Sequence, residues 1–268
     1  MKVVLFCGGL GLRMREESAR LPKPMIPLGD RPILWHIMKY YSDFGCRDFI
    51  LCLGYKPEVI KEYFLNYSEA LSNDFVLTEG GKRVELLGSD THDWSMTFVN
   101  TGLHSTIGER LQQVEQYLEG DELFLANYGD GLTDAPLREM IGVLEGSGKT
   151  GLFLCVHPTY QFHVVSLDDG NGVREIRDVG DANLWINGGY FVFRREIFDY
   201  LRPGEDLVGH AFNRLIAEDK LVAYPYEGFW APMDTLKDKQ TLESLLESGD
   251  PPWSTPRGLD VPGAASSG

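Results

Sequence analysis

A glycine-rich loop with two basic side chains follows the first apolar run of this 268-residue chain. It reads Gly8-Gly9-Leu10-Gly11-Leu12-Arg13, and Lys23 follows in the same proline-rich stretch. Backbone amides of glycine can approach an anionic ligand closely, and Arg13 and Lys23 can place positive charge against a polyphosphate. The spacing differs from the Walker and dinucleotide motifs, because no GK[ST] ends it. We interpret it as a phosphate-binding loop; a turn with solvated charges is the alternative for the loop taken alone.

Two isolated aspartates are the best candidates for binding a hard cation. Asp130 lies between glycines after the apolar run LFLA, and Asp234 follows the stretch GFWAPM. Magnesium in proteins takes one or two carboxylates together with substrate phosphates and water, so two loop aspartates suffice. Each aspartate alone also fits a turn or a helix start. Together with the phosphate loop, they predict a Mg²⁺ site formed by Asp130 and Asp234.

The remaining polar residues give weaker signals. Asn187-Gly188-Gly189 interrupts an apolar run, which indicates either close backbone approach to a ligand or a β-bulge. The six histidines show no paired spacing, and no Ser/His/Asp or Cys/His arrangement is evident. The sequence therefore favours chemistry by positioning and charge neutralisation over chemistry by a side-chain nucleophile.

Composition narrows the classes of partner. The formal net charge of -15 argues against a basic face for nucleic acid. The four cysteines lie far apart or inside apolar runs, which predicts buried free thiols in a reducing compartment. No secretory leader and no apolar run of membrane-spanning length is present, so we expect a cytoplasmic protein with no membrane partner.

The elements that must position these residues alternate between strand and helix. Apolar strands are predicted at 1–7 and 48–53, and helices at 33–44 and 57–65. This alternation predicts a parallel, three-layered α/β sheet with its ligand at the carboxyl ends of the strands, where Gly8 and Gly9 lie.

The middle of the chain is less regular. Short strands at 75–78, 83–87 and 96–100 predict a β-rich insertion. Further elements are predicted as helices at 108–118, 135–144, 212–217 and 235–246, and strands at 122–126, 151–156, 162–167 and 186–193. A single domain is expected over 1–253, and the Pro, Gly, Ser and Ala content of 254–268 predicts a disordered tail.

Several motifs together resemble one known family. GGLGLR, PKPMIPLG, RPILWHIMKYYSDFG, NYGDG, WINGGYFVF, GFWAPMDTLKDK and PPWST closely resemble the glucose-1-phosphate cytidylyltransferases, within the wider sugar-nucleotide pyrophosphorylase group. The likeness runs from Met1 to about Thr255. It implies a Rossmann-like nucleotidyltransferase fold with a mixed, mainly parallel sheet and a sugar-binding C-terminal portion. It further implies CTP, a sugar 1-phosphate and Mg²⁺ as partners, CDP-glucose as product, and a homo-oligomer.

The resemblance also implies roles for individual residues. The implied nucleotide-binding residues are Gly8, Gly9, Gly11, Arg13, Thr101, Gly102 and Arg110. The implied catalytic residues are Arg13, Lys23 and Asp130, with Asp130 and Asp234 as metal ligands. The implied sugar-phosphate residues are His163, Asp178, Asn187 and Gly188. The implied reaction is in-line attack of the sugar phosphate on the α-phosphorus with release of pyrophosphate, which needs no general base.

Three positions depart from the family pattern. Leu12 replaces a usual Thr, His163 replaces a usual Gly, and Val179 stands where relatives carry a Lys that meets the sugar phosphate. A charge-assisted hydrogen bond is worth about 1.5–3 kcal/mol, so the lost Lys must be compensated. Nearness in sequence makes Arg174, Arg177 and His163 the candidates for that compensation.

Three alternatives follow from these departures. The chain could use another sugar phosphate or nucleotide, or bind a sugar nucleotide without catalysis. Retention of both Asp130 and Asp234 favours the enzyme, because a protein that only bound product would have less need for both metal carboxylates. A glycosyltransferase is disfavoured, since such an enzyme is expected to show Asp-x-Asp where this chain has Gly-Asp-Gly.

Overall fold

The structure is a computed structural model that describes residues 1–9, 21–159, 162–182 and 184–258. The predictions for Gly11 and Arg13, and the substitution at Leu12, lie outside these ranges. The same holds for residues 259–268 of the predicted tail.

Strands and helices alternate along most of the chain. The strands are β1 (Lys2–Cys7), β2 (Pro27–Leu28), β3 (Arg31–Pro32), β4 (Asp48–Leu53), β5 (Phe75–Thr78), β6 (Arg83–Leu86), β7 (Ser95–Asn100), β8 (Leu123–Asn127), β9 (Gly131–Thr133), β10 (Gly151–Val156), β11 (His163–Leu167), β12 (Val173–Asp178), β13 (Ile186–Arg194), β14 (Leu221–Tyr226) and β15 (Trp230–Pro232). The α-helices are α1 (Ile33–Asp43), α2 (Pro57–Leu65), α3 (Glu69–Ser72), α4 (Ile107–Val114), α5 (Leu137–Ser147), α6 (Phe212–Ala217) and α7 (Leu236–Glu247).

The central sheet has seven strands in the order β14-β10-β13-β8-β1-β4-β7. Strand β13 runs antiparallel to both of its neighbours, whereas β10 with β14, β8 with β1, β1 with β4 and β4 with β7 pair in parallel. The sheet is therefore mixed and mainly parallel, as predicted. The carboxyl ends of β1, β4, β7 and β8 consequently meet at one edge.

Helices cover both faces of the sheet. In β1, Val3, Leu5 and Cys7 join the core that contains α1 and α5, while Val4 and Phe6 join the core that contains α4 and α6. Alternate residues of a strand point to opposite faces, so a continuous apolar strand is buried on both sides. The predicted three-layered α/β fold is confirmed.

One predicted strand belongs elsewhere than expected. The segment 96–100, assigned from the sequence to a β-rich insertion, is part of β7, which lies at the edge of the central sheet and pairs with β4 in register from Asp48↔Ser95 to Leu53↔Asn100. The insertion itself is the β5–β6 hairpin, which forms a separate two-stranded sheet. The sequence of a short strand next to a turn does not indicate whether that strand pairs with the central sheet or only with its neighbour.

Strand β14 was not predicted. Pro225 lies within it, and proline in an apolar run argues against a strand because it cannot donate a ladder hydrogen bond. In the structure β14 is the edge strand next to β10, where one unused donor position is tolerated.

The cysteines and the end of the chain complete the fold. All four cysteines are buried and unpaired, as predicted. Of the segment predicted as a tail, residues 254–258 are described, and the Arg257 backbone N–H donates to the Asp134 carbonyl at 2.9 Å. Within the ranges that the structure describes, the helices are too short or too polar to cross a lipid bilayer.

Candidate active site

Three glycines bring the ends of neighbouring strands into close contact. Gly8 follows β1, Gly54 follows β4, and Gly102 lies two residues after β7. A Cβ atom on Gly54 would lie 2.7 Å from the Gly8 carbonyl oxygen and 2.8 Å from that of Gly102. Only a glycine at position 54 allows the loops after β1 and β7 to approach each other this closely.

A buried arginine lies beneath the first glycine loop. The Arg110 guanidinium is 3% exposed and donates to Thr101 Oγ1 at 2.7 Å and to the carbonyls of Gly8 and Leu103 at 3.3 Å. Burial lowers the pKa of Arg110. A Cβ on Gly8 would overlap this guanidinium, so a larger residue at position 8 would force the arginine or the loop to shift. Of the predicted nucleotide residues, the structure brings Gly8, Thr101, Gly102 and Arg110 together.

Lys23 joins the two predicted metal ligands. It begins a short 3₁₀ turn, Lys23–Met25, and its ammonium contacts Asp130 Oδ2 at 2.7 Å and Asp234 Oδ1 at 2.5 Å. Burial by itself lowers the pKa of Lys23, but the charges and hydrogen bonds of Asp130 and Asp234 outweigh burial and raise that pKa. The sequence placed Lys23 at the reacting phosphates; the structure places it between the two carboxylates.

A two-stranded ribbon sets the distance between the two aspartates. Strand β9 starts directly after Asp130, and β15 ends two residues before Asp234. The strands pair antiparallel from Gly131↔Pro232, and the Met233 N–H donates to the Asp130 carbonyl at 2.8 Å. Both aspartates therefore leave the ribbon at the same end.

The paired carboxylates fit a divalent cation. Both contact the Lys23 ammonium, and oxygen ligands of this kind suit Mg²⁺. Among the residues that the structure describes, no group of three or more His, Cys, Asp or Glu side chains could hold a metal ion. A site of two carboxylates leaves the remaining positions to phosphate and water, which is the usual arrangement for Mg²⁺.

Two asparagine turns of the same design end β8 and begin β13. Asn127 Oδ1 accepts from the Gly129 N–H at 2.6 Å, and Asn187 Oδ1 accepts from the Gly189 N–H at 2.8 Å. Both glycines have φ of 77°, a conformation that favours glycine. The turns touch, because the Tyr128 N–H donates to the Gly189 carbonyl at 3.1 Å and Asn187 Nδ2 donates to the Tyr128 hydroxyl at 3.2 Å.

The predicted sugar-phosphate residues separate into two groups. Asn187 Nδ2 donates to the hydroxyl of Tyr128, which lies two residues before Asp130. The Gly188 carbonyl accepts from Trp230 Nε1 at 2.8 Å. His163 and Asp178 instead oppose each other on the exposed β11–β12 hairpin. No hydrogen bond or ion pair between residues described by the structure joins that pair to Asp130 or Asp234.

Val179, at the position where the resemblance implies a Lys, is a buried residue. Val179 is 8% exposed, and its N–H donates to the Phe162 carbonyl at 2.8 Å. Of the candidates for compensation, Arg177 lies on the hairpin opposite Val164 and is exposed, as is Arg174.

Sequence reasoning missed several residues that shape the site. They are Asn127, Tyr128, Asp134, Tyr190 and Trp230. The Tyr190 hydroxyl donates to the Gly131 carbonyl at 2.8 Å and so supports the Asp130 loop from the core. The repeated Asn-x-Gly pattern at the end of one apolar run and the start of another was the available signal for the two turns. No signal in the sequence indicated a role for Asp134.

The fold and the site together define an α/β protein with a glycine-lined ligand edge and a paired carboxylate site. The family model described as nucleotidyl transferase matches residues 2–238. The chain belongs to the nucleotidyl transferase family, an enzyme family, and the prediction made from its motifs is confirmed.

Individual relatives place the chain more finely within that family. It is 40% identical over 258 residues to the glucose-1-phosphate cytidylyltransferase of Salmonella typhi, covering 95% of this chain and 99% of the relative. Identity to a UTP–glucose-1-phosphate uridylyltransferase of Staphylococcus epidermidis is 26%, with 85% of each chain covered. A solved UDP-glucose pyrophosphorylase with bound UDP-glucose superposes with a TM-score of 0.68 over 92% of this chain and 98% of its own, and its 15% identity shows likeness of fold alone.

Proposed function

We propose that this enzyme transfers a cytidylyl group from CTP to α-D-glucose 1-phosphate, forming CDP-glucose and pyrophosphate. The observation that carries the proposal is the convergence of Asp130 and Asp234 on Lys23, next to the Gly8 edge of the sheet. The choice of CTP and glucose 1-phosphate rests on the name of the relative from Salmonella typhi, which is more similar than the uridylyltransferase.

Mg²⁺ is the proposed cofactor, with Asp130 and Asp234 as its protein ligands. When bound, Mg²⁺ neutralises charge on phosphate oxygens as a Lewis acid. The chain itself supplies two carboxylates whose spacing is fixed by the β9–β15 ribbon before any ligand arrives. Preorganised charge of this kind costs no reorganisation during the reaction.

The reaction requires no protonated or deprotonated side chain as acid or base. An oxygen of the sugar phosphate attacks the α-phosphorus, the bond from that phosphorus to the β-phosphate oxygen breaks, and pyrophosphate leaves with the electron pair. The attacking phosphate monoester is already anionic, because its second pKa is about 6. Arg13 and Lys23 would stabilise the developing negative charge, while Gly8, Gly9, Gly11, Thr101, Gly102 and Arg110 would bind or support the nucleotide.

On the sugar side, the proposed contacts are Asn187 and Gly188, which lie beside the Asp130 loop. His163 and Asp178 are retained as proposed contacts from the hairpin, with Arg174, Arg177 or His163 replacing the charge of the family Lys. Separate Arg174→Ala, Arg177→Ala and His163→Ala variants test this replacement. An unchanged KM for the sugar phosphate in all three would exclude it.

We further propose a cytoplasmic homo-oligomer. Phe75, Leu77, Val84 and Leu86 share one face of the β5–β6 hairpin and are exposed. Isolated two-stranded hairpins are marginally stable, so an apolar face of this kind favours a partner surface. The buried free thiols are consistent with a reducing compartment. Sedimentation of the wild type and a Leu77→Asp variant tests the oligomer.

Pyrophosphate release with Mg²⁺ tests the reaction. CTP, UTP, dTTP, ATP and GTP are each paired with glucose 1-phosphate and a small panel of other sugar phosphates, with Asp130→Ala as control. Turnover with CTP and glucose 1-phosphate that the substitution abolishes supports the proposal. Turnover with another pair replaces the substrate assignment, and nucleotide binding without turnover favours the non-catalytic alternative.

A further inference from the structure

A buried carboxylate that the proposed reaction does not use lies at the far end of the β9–β15 ribbon. Asp134 is 7% exposed. Its Oδ1 accepts from the Tyr226 hydroxyl at 2.5 Å and from the Phe229 N–H at 2.8 Å, and its Oδ2 accepts from Arg257 Nε at 3.1 Å. Both carboxylate oxygens are therefore engaged, so Asp134 is placed to hold structure and has no oxygen directed at a ligand.

The three donors come from three separate parts of the chain. Tyr226 ends β14, Phe229 lies in the turn before β15, and Arg257 lies after the last 3₁₀ turn. Arg257 is held twice, because its backbone N–H also donates to the Asp134 carbonyl at 2.9 Å. Its guanidinium lies 5.7 Å from the centre of the Tyr226 ring. We call Asp134, Tyr226 and Arg257 the clasp.

The ribbon needs such support because its own pairing is weak. Each strand has three residues, and Pro232 cannot donate a ladder hydrogen bond. A register shift of one residue would turn every side chain to the opposite face and change the separation of Asp130 and Asp234. The Met233 N–H holds one end, while Asp134 and the Thr133 hydroxyl, which donates to the Phe229 carbonyl at 2.7 Å, hold the other.

We propose that Asp134 is a positioning residue for the carboxylate pair, and that Arg257 makes the C-terminal segment a working part of the site by completing the clasp. The inference rests on the proposed function in one respect, namely that Asp130 and Asp234 hold the cation. The clasp acts through geometry more than through charge, because the Arg257 side chain is 64% exposed and its ion pair with Asp134 is screened by solvent.

The experiment compares Mn²⁺ binding in the presence of CTP, by calorimetry, across matched variants of the full chain. Arg257→Ala removes the guanidinium donor of the clasp, and Asp134→Asn removes the charge while keeping the size of the side chain. Arg47→Ala is the control, because Arg47 Nε contacts Asp93 Oδ2 at 3.0 Å in an exposed ion pair of the same geometry. Asp130→Ala tests whether Mn²⁺ binding requires the Asp130 carboxylate. Hydrogen exchange of the ribbon amides is followed in each variant.

The clasp variants are expected to bind Mn²⁺ about tenfold more weakly, as for other residues that orient metal ligands, with faster exchange in 131–133. Arg47→Ala should match the wild type in both. Wild-type Mn²⁺ affinity and exchange in Arg257→Ala and Asp134→Asn, with binding lost in Asp130→Ala, would overturn the clasp and leave the proposed function standing. Binding that survives Asp130→Ala would overturn the metal site and the clasp together. If Asp134→Asn does not fold, the Mn²⁺ affinity and the hydrogen exchange of Arg257→Ala alone test the proposal.

Discussion

Two basic side chains near the carboxyl ends of the strands, the buried Arg110 and the half-buried Lys23, are held in opposite ways. Arg110 donates to a hydroxyl and to backbone carbonyls, all of them uncharged oxygens. Lys23 contacts two carboxylates. The Arg110 side of the site, the positive half, therefore keeps its positive charge, whereas the side that carries Asp130 and Asp234, the negative half, holds its lysine between two carboxylates.

This difference matches what we propose that each half binds. Under that proposal, the positive charge beneath Gly8 attracts an anionic nucleotide, and the carboxylates at the ribbon attract a cation. Because the protein as a whole carries a formal charge of -15, the positive centre has to be local. Hydrogen bonds to neutral oxygens keep an arginine in place without cancelling its charge.

The largest expected effect comes from the negative half. Asp130→Ala should lower kcat about a thousandfold, because a bound metal contributes several kcal/mol to the transition state and each 1.4 kcal/mol is a factor of ten. Pyrophosphate release measures it. Asp121→Ala, which removes an ion pair with Lys2 at the opposite end of β1, is the matched control and should be as active as the wild type.

We expect the main effect of replacing Arg110 to be a lower free energy of unfolding. Arg110→Met leaves the buried Thr101 hydroxyl and Gly8 carbonyl without this donor, and unsatisfied buried groups cost about 1–3 kcal/mol each. The free energy of unfolding should fall by about 3 kcal/mol in urea denaturation. Millimolar Mg²⁺ should not restore it, whereas it should stabilise Lys23→Met, where a cation can replace the ammonium. Equal responses of both variants would contradict the comparison.

A smaller perturbation of the positive half tests the packing of Gly8. Gly8→Ala places a methyl group on the Arg110 guanidinium, so the arginine or the loop must move. A rise of about tenfold in KM for the nucleotide corresponds to loss of one hydrogen bond of about 1.4 kcal/mol. Gly142→Ala, in helix α5 with open space around the added carbon, is the control. A KM for Gly8→Ala equal to that of the control would show that Arg110 is free to shift.

The smallest expected effect is on the pH dependence of stability. The folded pKa of Lys23 is raised above its unfolded value of about 10.4. The ion pairs therefore contribute fully below that value, and their contribution is lost as pH rises through the folded pKa. Above pH about 10.4, the free energy of unfolding should therefore fall more steeply in the wild type than in Lys23→Met. Equal slopes for the wild type and Lys23→Met would show that Asp130 and Asp234 do not raise the pKa of Lys23.

The sequence predicts the layers of this fold better than it predicts the connections of the site. Strands β1 and β4 can be recognised in the sequence as continuous apolar runs, because both faces of each strand are buried. The Lys23 contacts could not be predicted, because nothing local relates that residue to Asp130 or Asp234. The same is true of Asp134, whose donors come from β14, a turn and the C-terminal segment. Strand β14 shows a second limit, because Pro225 is acceptable only at a sheet edge, and edge position is a property of the assembled sheet.

The long sequence separations between contacting residues of the site determine the order in which its parts can form during synthesis. Lys23 and Asp234 are 211 positions apart, and Asp134 and Arg257 are 123 apart. Closing loops of this length carries an entropic cost that is repaid only when both partners are present, and chains emerge from the ribosome from the N-terminus onward. The glycine edge can assemble from the first half of the chain, but the carboxylate pair cannot be completed until nearly the last described residue has been synthesised. A nascent chain can therefore form the contacts among Gly8, Gly54 and Gly102 well before it can bring Asp130 and Asp234 together.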